Sequence, residues 1–227
     1  MTCLFCNRYI RKTLTFHELL SFQPYQNEVI CEKCSNSFSR IDPTSACLGC
    51  SRPLLESTYC PDCQKWISKY SEDLVKHEAF FSYDDVLKNW LQTYKILGDV
   101  RFAAIFRKDL KQHYKQHKDS IYIPLPSSAT SLAKRGFNQT ELLLQEAGIP
   151  FQQILYFEGK GKKQSEKKRF ERMIMPQPFR LQEHNIPLTT SIILVDDIYT
   201  TGRTLLHAKV KLKEAGFEQI ASVSIGR

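Results

Sequence analysis

From Ser191 the chain reads SIILVDDIYTTGRTLLHAKVKLKEAGFEQIASVSIG. Ile192 to Val195 is an unbroken apolar run rich in branched residues, the pattern of a strand buried on both faces of a parallel sheet. Leu205, Leu206, Ala208, Val210, Leu212 and Ala215 then fall on a helical stripe, and Gly216 supplies the stop. Ile220 to Ile225 reads as the next parallel strand, so the pattern predicts a βαβ unit. Asp196 and Asp197 occupy the carboxyl edge of its first strand, where ligands sit in such units.

Composition divides the chain in two. All 8 cysteines of the 227 residues lie between Cys3 and Cys63, and the rest carries the apolar runs of an ordinary core. The expected division is a small domain over 1–66 and a main domain over 77–227. No segment approaches the roughly 20 apolar residues of a membrane span, and the opening MTCLFCNRY lacks the apolar core of a secretory signal. The expectation is a cytoplasmic protein with no membrane insertion. Reducing cytosol favours metal thiolates over disulfides for cysteines paired this regularly.

The cysteines form four knuckles with two-residue spacers: Cys3/Cys6, Cys31/Cys34, Cys47/Cys50 and Cys60/Cys63. Two knuckles complete a tetrahedral sulfur site with no open position, which is a structural zinc site. CLFCNR at Cys3 recurs as CLGCSR at Cys47, so the repeating unit is one knuckle plus its partner. Sequential pairing puts one zinc on Cys3, Cys6, Cys31 and Cys34 and a second on Cys47, Cys50, Cys60 and Cys63; an interleaved cross-brace is the rival arrangement. The longer first linker predicts an extra loop or helix around Phe16 to Phe22. About 65 residues with few large apolar positions are marginal without such staples, so the metals serve as scaffold whether or not the unit also docks a partner.

The chemistry after Val195 is that of a phosphate site. Thr200, Thr201, Gly202, Arg203 and Thr204 offer backbone N–H groups, hydroxyls and a tight-turn glycine at the positive end of a helix dipole. Two adjacent carboxylates suit the two hydroxyls of a ribose while the loop holds its 5-phosphate. A strand, two aspartates, a loop and a helix also occur in metal-dependent phosphotransfer folds, which remain the alternative. The formal charge of +8 suits phosphorylated or polyanionic partners. It is concentrated in two runs: Arg107, Lys108, Lys111, Lys115 and Lys118, on what reads as a helix, and Lys160, Lys162, Lys163, Lys167, Lys168, Arg169 and Arg172.

VDDIYTTGRT resembles the phosphoribosyl pyrophosphate loop of type I phosphoribosyltransferases, and IPLPSSATSLAKRGFNQTELL with Arg135, Gly136, Phe137, Asn138 and Gln139 resembles the signature of the ComF family. With the cysteine knuckles in front, the resemblance covers nearly the whole chain. It implies an α/β fold with a mostly parallel sheet and flanking helices, plus a small N-terminal zinc-ribbon domain. It further implies a first core strand at Ile121 to Leu125 and a pyrophosphate turn over Pro126 to Ala129, with Pro126 and Ser127 as binding residues. Arg135 and Lys134 would lie near the phosphates, with Asn138 and Gln139 fixing the start of the next helix. A hood loop over Glu158 to Leu181 is implied too, with Gln164 and Arg172 at the family interval, and so is a site lysine at Lys95 with Tyr83 and Trp90 packed nearby. Ser131 and Met175 depart from the family pattern, where arginine and asparagine are common, and imply fewer ligand contacts and weak turnover.

The family resemblance implies a competence-associated DNA-uptake factor working beside a helicase-like translocase. Its pocket would take phosphoribosyl pyrophosphate with magnesium, or a nucleotide-like ligand. The basic runs would track the phosphates of single-stranded DNA, with Tyr114 and Phe170 available to stack on bases. An active phosphoribosyltransferase of nucleotide metabolism, with Asp196, Asp197 and Arg135 as its catalytic groups, is the alternative; an assembly adaptor without turnover or DNA affinity is a third.

Overall fold

The computed structural model describes residues 1–11, 20, 27–56, 58–70, 76–158 and 178–227. Its centre is an all-parallel sheet of β1 (Lys76–Phe81), β2 (Ile121–Pro124), β5 (Ile192–Ile198) and β6 (Ile220–Gly226), in the order β1-β6-β5-β2. A separate antiparallel pair joins β3 (Leu155–Phe157) to β4 (Phe179–Leu181). The α-helices whose bounds fall among the described residues are α1 (Glu32–Ser35), α2 (Pro61–Tyr70), α3 (Asp85–Leu91), α4 (Arg107–Gln116), α5 (Ala129–Arg135), α6 (Gln139–Ala147) and α7 (Arg203–Glu214). A π-helical turn, Gln92–Ile96, and a 3-10 segment, Val100–Phe106, connect α3 to α4.

Strand alternation sorts the core into two layers. Tyr122, Ile193, Val195 and Val223 pack with Leu110 of α4 and Leu143 and Leu144 of α6. Ile123, Ile192, Leu194 and Ile220 pack with Leu205, Ala208 and Leu212 of α7 and with Leu155 and Phe179 of the antiparallel pair. Both faces of the sheet are therefore covered, which is why Ile192 to Val195 reads as a continuous apolar run. Trp90 and Tyr94 are fully buried and stacked at 5.2 Å, so Trp90 is a core residue.

Both cysteine units pack on this body. Cys3, Ile30 and Phe38 join the first layer, and Cys47, Cys50, Cys60 and Cys63 join the second. The sequence repeat is also a structural one. Cys3 N donates to Arg8 O and Asn7 N to Cys3 O; Cys47 N donates to Arg52 O and Ser51 N to Cys47 O. Asn7 and Ser51 share a φ of 57°, the left-handed conformation that lets each knuckle reverse. The region expected to hold an extra loop or helix, Phe16 to Phe22, lies outside the described residues except for Leu20.

The site follows from the topology. After β2 the chain crosses to α6 in the first layer, whereas after β5 it crosses to α7 in the second. Helices leaving adjacent parallel strands toward opposite faces open a crevice at the strands' carboxyl ends. Pro124, the last residue of β2, pairs with Val195, so Asp196 and Asp197 run past it into that crevice.

Candidate functional site

Asp196 and Asp197 are the fifth and sixth residues of β5, held there because β6 continues to pair with Asp196 and Ile198. Asp197 is buried and forms an ion pair with Lys95 Nζ from the π-helical turn; Ile198 N also donates to Asp197 Oδ1 at 2.8 Å. Burial opposes its charge, but Lys95 and the Ile198 N–H outweigh burial and hold the Asp197 carboxyl below the ordinary carboxylate range. Asp196, half-buried beside that charge, goes the other way: desolvation and the Asp197 carboxylate push it up to about 8. The two carboxyls therefore titrate as a coupled pair, in which the charge on Asp197 opposes ionisation of Asp196.

The loop after β5 is short. Thr200 is exposed, Thr201 and Gly202 are half-buried, and α7 starts at Arg203. Arg203 and Thr204 thus belong to the first helical turn, a change from the longer loop that the apolar stripe beginning at Leu205 predicts. Gly202 precedes the helix at φ +74°, and a Cβ there would collide with the Tyr199 hydroxyl. Only glycine satisfies both constraints.

Opposite this loop, Pro126 and Ser127 follow β2. Ser127 Oγ donates to Gln139 Oε1 at 3.0 Å, and Thr140 Oγ1 donates to Leu125 O at 2.9 Å. Asn138 caps α6, its Oδ1 accepting from Thr140 N at 3.1 Å. Ser131 completes the turn instead of offering a cation: its N–H donates to Ser128 Oγ at 3.2 Å. Arg135 Nη1 and Gln139 Nε2 are buried with no hydrogen-bond partner among the described residues. Burial presses Arg135 down, and the Asp197 charge offsets this. Buried donors without acceptors are costly, so two of them in one crevice fit an anion that supplies the acceptors. Lys134 is exposed.

Residues that sequence reasoning did not connect brace the loop from behind. Trp66 Nε1 donates to Thr201 O at 3.0 Å, and Arg227 Nη1 donates to Thr200 O at 3.2 Å. Arg227 also covers the Tyr199 ring at 4.8 Å and donates from Nε to Cys50 Sγ at 3.3 Å. Tyr199 in turn lies against His77, 4.4 Å between ring centroids. A cavity of about 380 Å³ opens here, lined by Arg52, Tyr83, Thr200, Thr201 and Arg227 among others. These contacts join segments far apart in the chain, and no spacing pattern signals them.

The cysteines gather into Cys3, Cys6, Cys31, Cys34 and into Cys47, Cys50, Cys60, Cys63, the sequential grouping, with sulfur atoms within 4.8 Å in each. The Cys6–Cys31 and Cys50–Cys60 sulfur separations are 3.7 and 3.6 Å. Zinc–sulfur bonds of about 2.3 Å in a tetrahedron set sulfurs about 3.8 Å apart, so both groups could hold zinc. A hydrogen bond from the Cys63 thiol, working against burial, and the Arg227 guanidinium bring Cys50 down to about 4, while the same contact and burial push Cys63 up.

The predicted nucleic-acid residues Lys160, Lys162, Lys163, Lys167, Lys168 and Arg172, with Gln164, Arg169, Phe170 and Met175, lie outside the described residues. On α4, Arg107 donates to Asn27 O and Lys108 pairs with Glu28 at 2.6 Å, so these two cations face the first cysteine unit. Lys115 and Lys118 are exposed. Tyr114 is half-buried and packs edge-on against Tyr122 at 5.6 Å.

A parallel sheet whose β5 carries two aspartates near its carboxyl end, followed by a threonine-glycine loop on a helix N-terminus, defines the type I phosphoribosyltransferase-like fold. No family model matches the chain. It is 33% identical over 227 residues, all of both chains, to competence protein ComFC of Streptococcus pneumoniae. It is 30% identical over 229 residues to competence protein ComFC of Bacillus subtilis, covering 99% of this chain and 92% of that one. The chain belongs to the ComFC family of competence proteins. Among solved structures, adenine phosphoribosyltransferase of Leishmania donovani is similar at 15% identity and a TM-score of 0.39, over 68% of this chain and 85% of that one. Among the described residues no helix is long and apolar enough to cross a membrane.

Proposed function

We propose that this competence protein binds a 5-phosphoribosyl ligand, phosphoribosyl pyrophosphate or a nucleotide-like relative, in the crevice between β2 and β5. The observation that carries this reading is the pair of unpartnered buried donors after β2: Arg135 Nη1, on a side chain that feels the Asp197 charge, and Gln139 Nε2, beside Ser127. The ribose hydroxyls would donate to the two carboxyls. The 5-phosphate would take the N–H groups of Thr200 to Thr204, and the pyrophosphate would lie along Pro126, Ser127 and Arg135. Oxygen donors of this kind suit magnesium, which would neutralise pyrophosphate charge.

The protein would act in the cytoplasm and use the bound ligand as a signal or as a grip on a nucleic-acid end. Single-stranded DNA would follow Lys160, Lys162, Lys163, Lys167, Lys168 and Arg172, and the cysteine units would dock a helicase-like translocase. Turnover is the second reading. The same carboxyls and Arg135 would assist departure of pyrophosphate while a nitrogenous acceptor attacks the ribose 1-carbon. Ser131, which caps a turn and offers no cation, makes this the weaker reading.

The test is thermal unfolding with magnesium and phosphoribosyl pyrophosphate. A rise in Tm that disappears when Asp196 and Asp197 are both changed to Asn, with zinc content intact, is the expected result. An unchanged Tm in the unmodified protein rejects the ligand site. Oligonucleotide binding should fall steeply with salt, and less steeply when the six basic residues are replaced by Gln.

A further inference from the structure

One cluster of metal-ligating side chains lies outside both cysteine groups and outside the crevice. His113 is in the last turn of α4 and His117 is the residue that caps its end, its N–H donating to Tyr114 O, so the two imidazoles stand side by side against β1, which carries Glu78. One ligand atom from each of the three lies within 4.8 Å of the others. His113 Nε2 is 3.7 Å from Glu78 Oε2, and the two imidazole rings are 4.5 Å apart. Nitrogen and oxygen ligands at about 2.0–2.2 Å from a tetrahedral ion stand about 3.4 Å apart, so the cluster needs only a small contraction to close on one.

The outer contacts also fit. His113 Nδ1 is 2.7 Å from the Tyr122 hydroxyl, which fixes the ring and leaves Nε2 to face Glu78. A metal-bound histidine is normally oriented in this way through its second nitrogen. His113 is buried, His117 is half-buried and Glu78 is exposed, so the site has a packed floor and an open mouth. β1 is separated from β5 by β6, which sets the cluster apart from Asp196 and Asp197.

We propose that Glu78, His113 and His117 form a site for a divalent transition-metal ion of the zinc class, with two imidazoles, one carboxylate and an open coordination position. Two nitrogens and one oxygen select against magnesium and calcium, which take oxygen ligands. Binding would tie the edge strand β1 to the end of α4. The open position would take water or an anionic group from outside.

The experiment is calorimetric titration of zinc into the untagged, full-length protein whose cysteine sites are already loaded. One further equivalent is expected. Glu78→Gln and His117→Gln, both at solvent-accessible side chains, should each remove it or weaken it at least about tenfold, with unchanged circular dichroism. Tyr122→Phe should weaken it without removing a ligand. Absence of the further equivalent overturns the proposal, and so does an equivalent that both Gln variants retain, because the ion then sits elsewhere.

Discussion

Trp66 Nε1 donates to the carbonyl oxygen of Thr201 at 3.0 Å, across 135 residues of sequence. Trp66 is on α2, the helix that carries Cys63, so the second cysteine group and the loop after β5 share one attachment. Trp66→Phe removes the donor and keeps most of the apolar ring. A neutral hydrogen bond contributes about 1 kcal/mol, so affinity for magnesium phosphoribosyl pyrophosphate should fall about fivefold by calorimetry while zinc content stays constant.

The same attachment predicts an effect of metal loss. Cys50 Sγ accepts from Arg227, which holds Thr200 O. Cys60→Ser, which opens the second cysteine group and leaves Trp66 and Arg227 in place, should halve bound zinc and weaken ligand binding. Changing Cys31 in the first group should halve zinc with a smaller effect on the ligand. Equal effects from the two variants would show that the second group has no special hold on the loop.

Gly202→Ala adds a Cβ at φ +74° that meets the Tyr199 hydroxyl. The left-handed backbone alone costs about 1–2 kcal/mol for a residue with a side chain, and the collision adds to it. Tyr199 cannot withdraw freely, because it lies between His77 and Arg227. Urea unfolding should show a clear loss of stability, and the ligand-dependent rise in Tm should be abolished.

What could be read from sequence was what is local in it. Four knuckles of fixed spacing and the internal repeat define sulfur groups, since a two-residue spacer turns both thiolates one way. The run from Ile192 to Asp197 reads as a buried strand with carboxyls at its end because period and composition agree there. β1 was not legible: Lys76, His77 and Glu78 look like linker, and the burial of His77 is matched by the Ser222 and Ser224 hydroxyls, which lie 2.8 and 3.0 Å from its two ring nitrogens. The brace of Trp66, Tyr199 and Arg227 was equally silent, since each residue taken alone is an ordinary aromatic or cation.

Arg135 offers a way to separate the two ends of the ligand. If its Nη1 meets pyrophosphate, Arg135→Gln should weaken phosphoribosyl pyrophosphate by about 10- to 100-fold, the range for hydrogen bonds to charged groups. Ribose 5-phosphate, which lacks the pyrophosphate, should bind the variant as it binds the parent protein. A matched loss for both ligands would move Arg135 to the ribose or to the fold.

Asp196 should make both stability and binding depend on pH, with opposite signs. Desolvation and the Asp197 charge raise it from 3.8 to about 8. For an acid raised on folding, the native state binds more protons than the unfolded chain between the two values. The stabilisation is complete below pH 4 and is lost as pH climbs through 8. Ribose hydroxyls that donate to Asp196 favour its ionised carboxylate, so affinity should climb over the same interval and level off above it. Asp196→Asn keeps the shape and cannot titrate. Denaturation and calorimetry from pH 6 to 9 should therefore show two slopes in the parent protein, attributable to this residue by their flattening in the variant, because ligand phosphate ionisation is common to both. Persistence of the binding slope in the variant would assign it to the ligand alone and leave Asp196 without a part in holding the ribose.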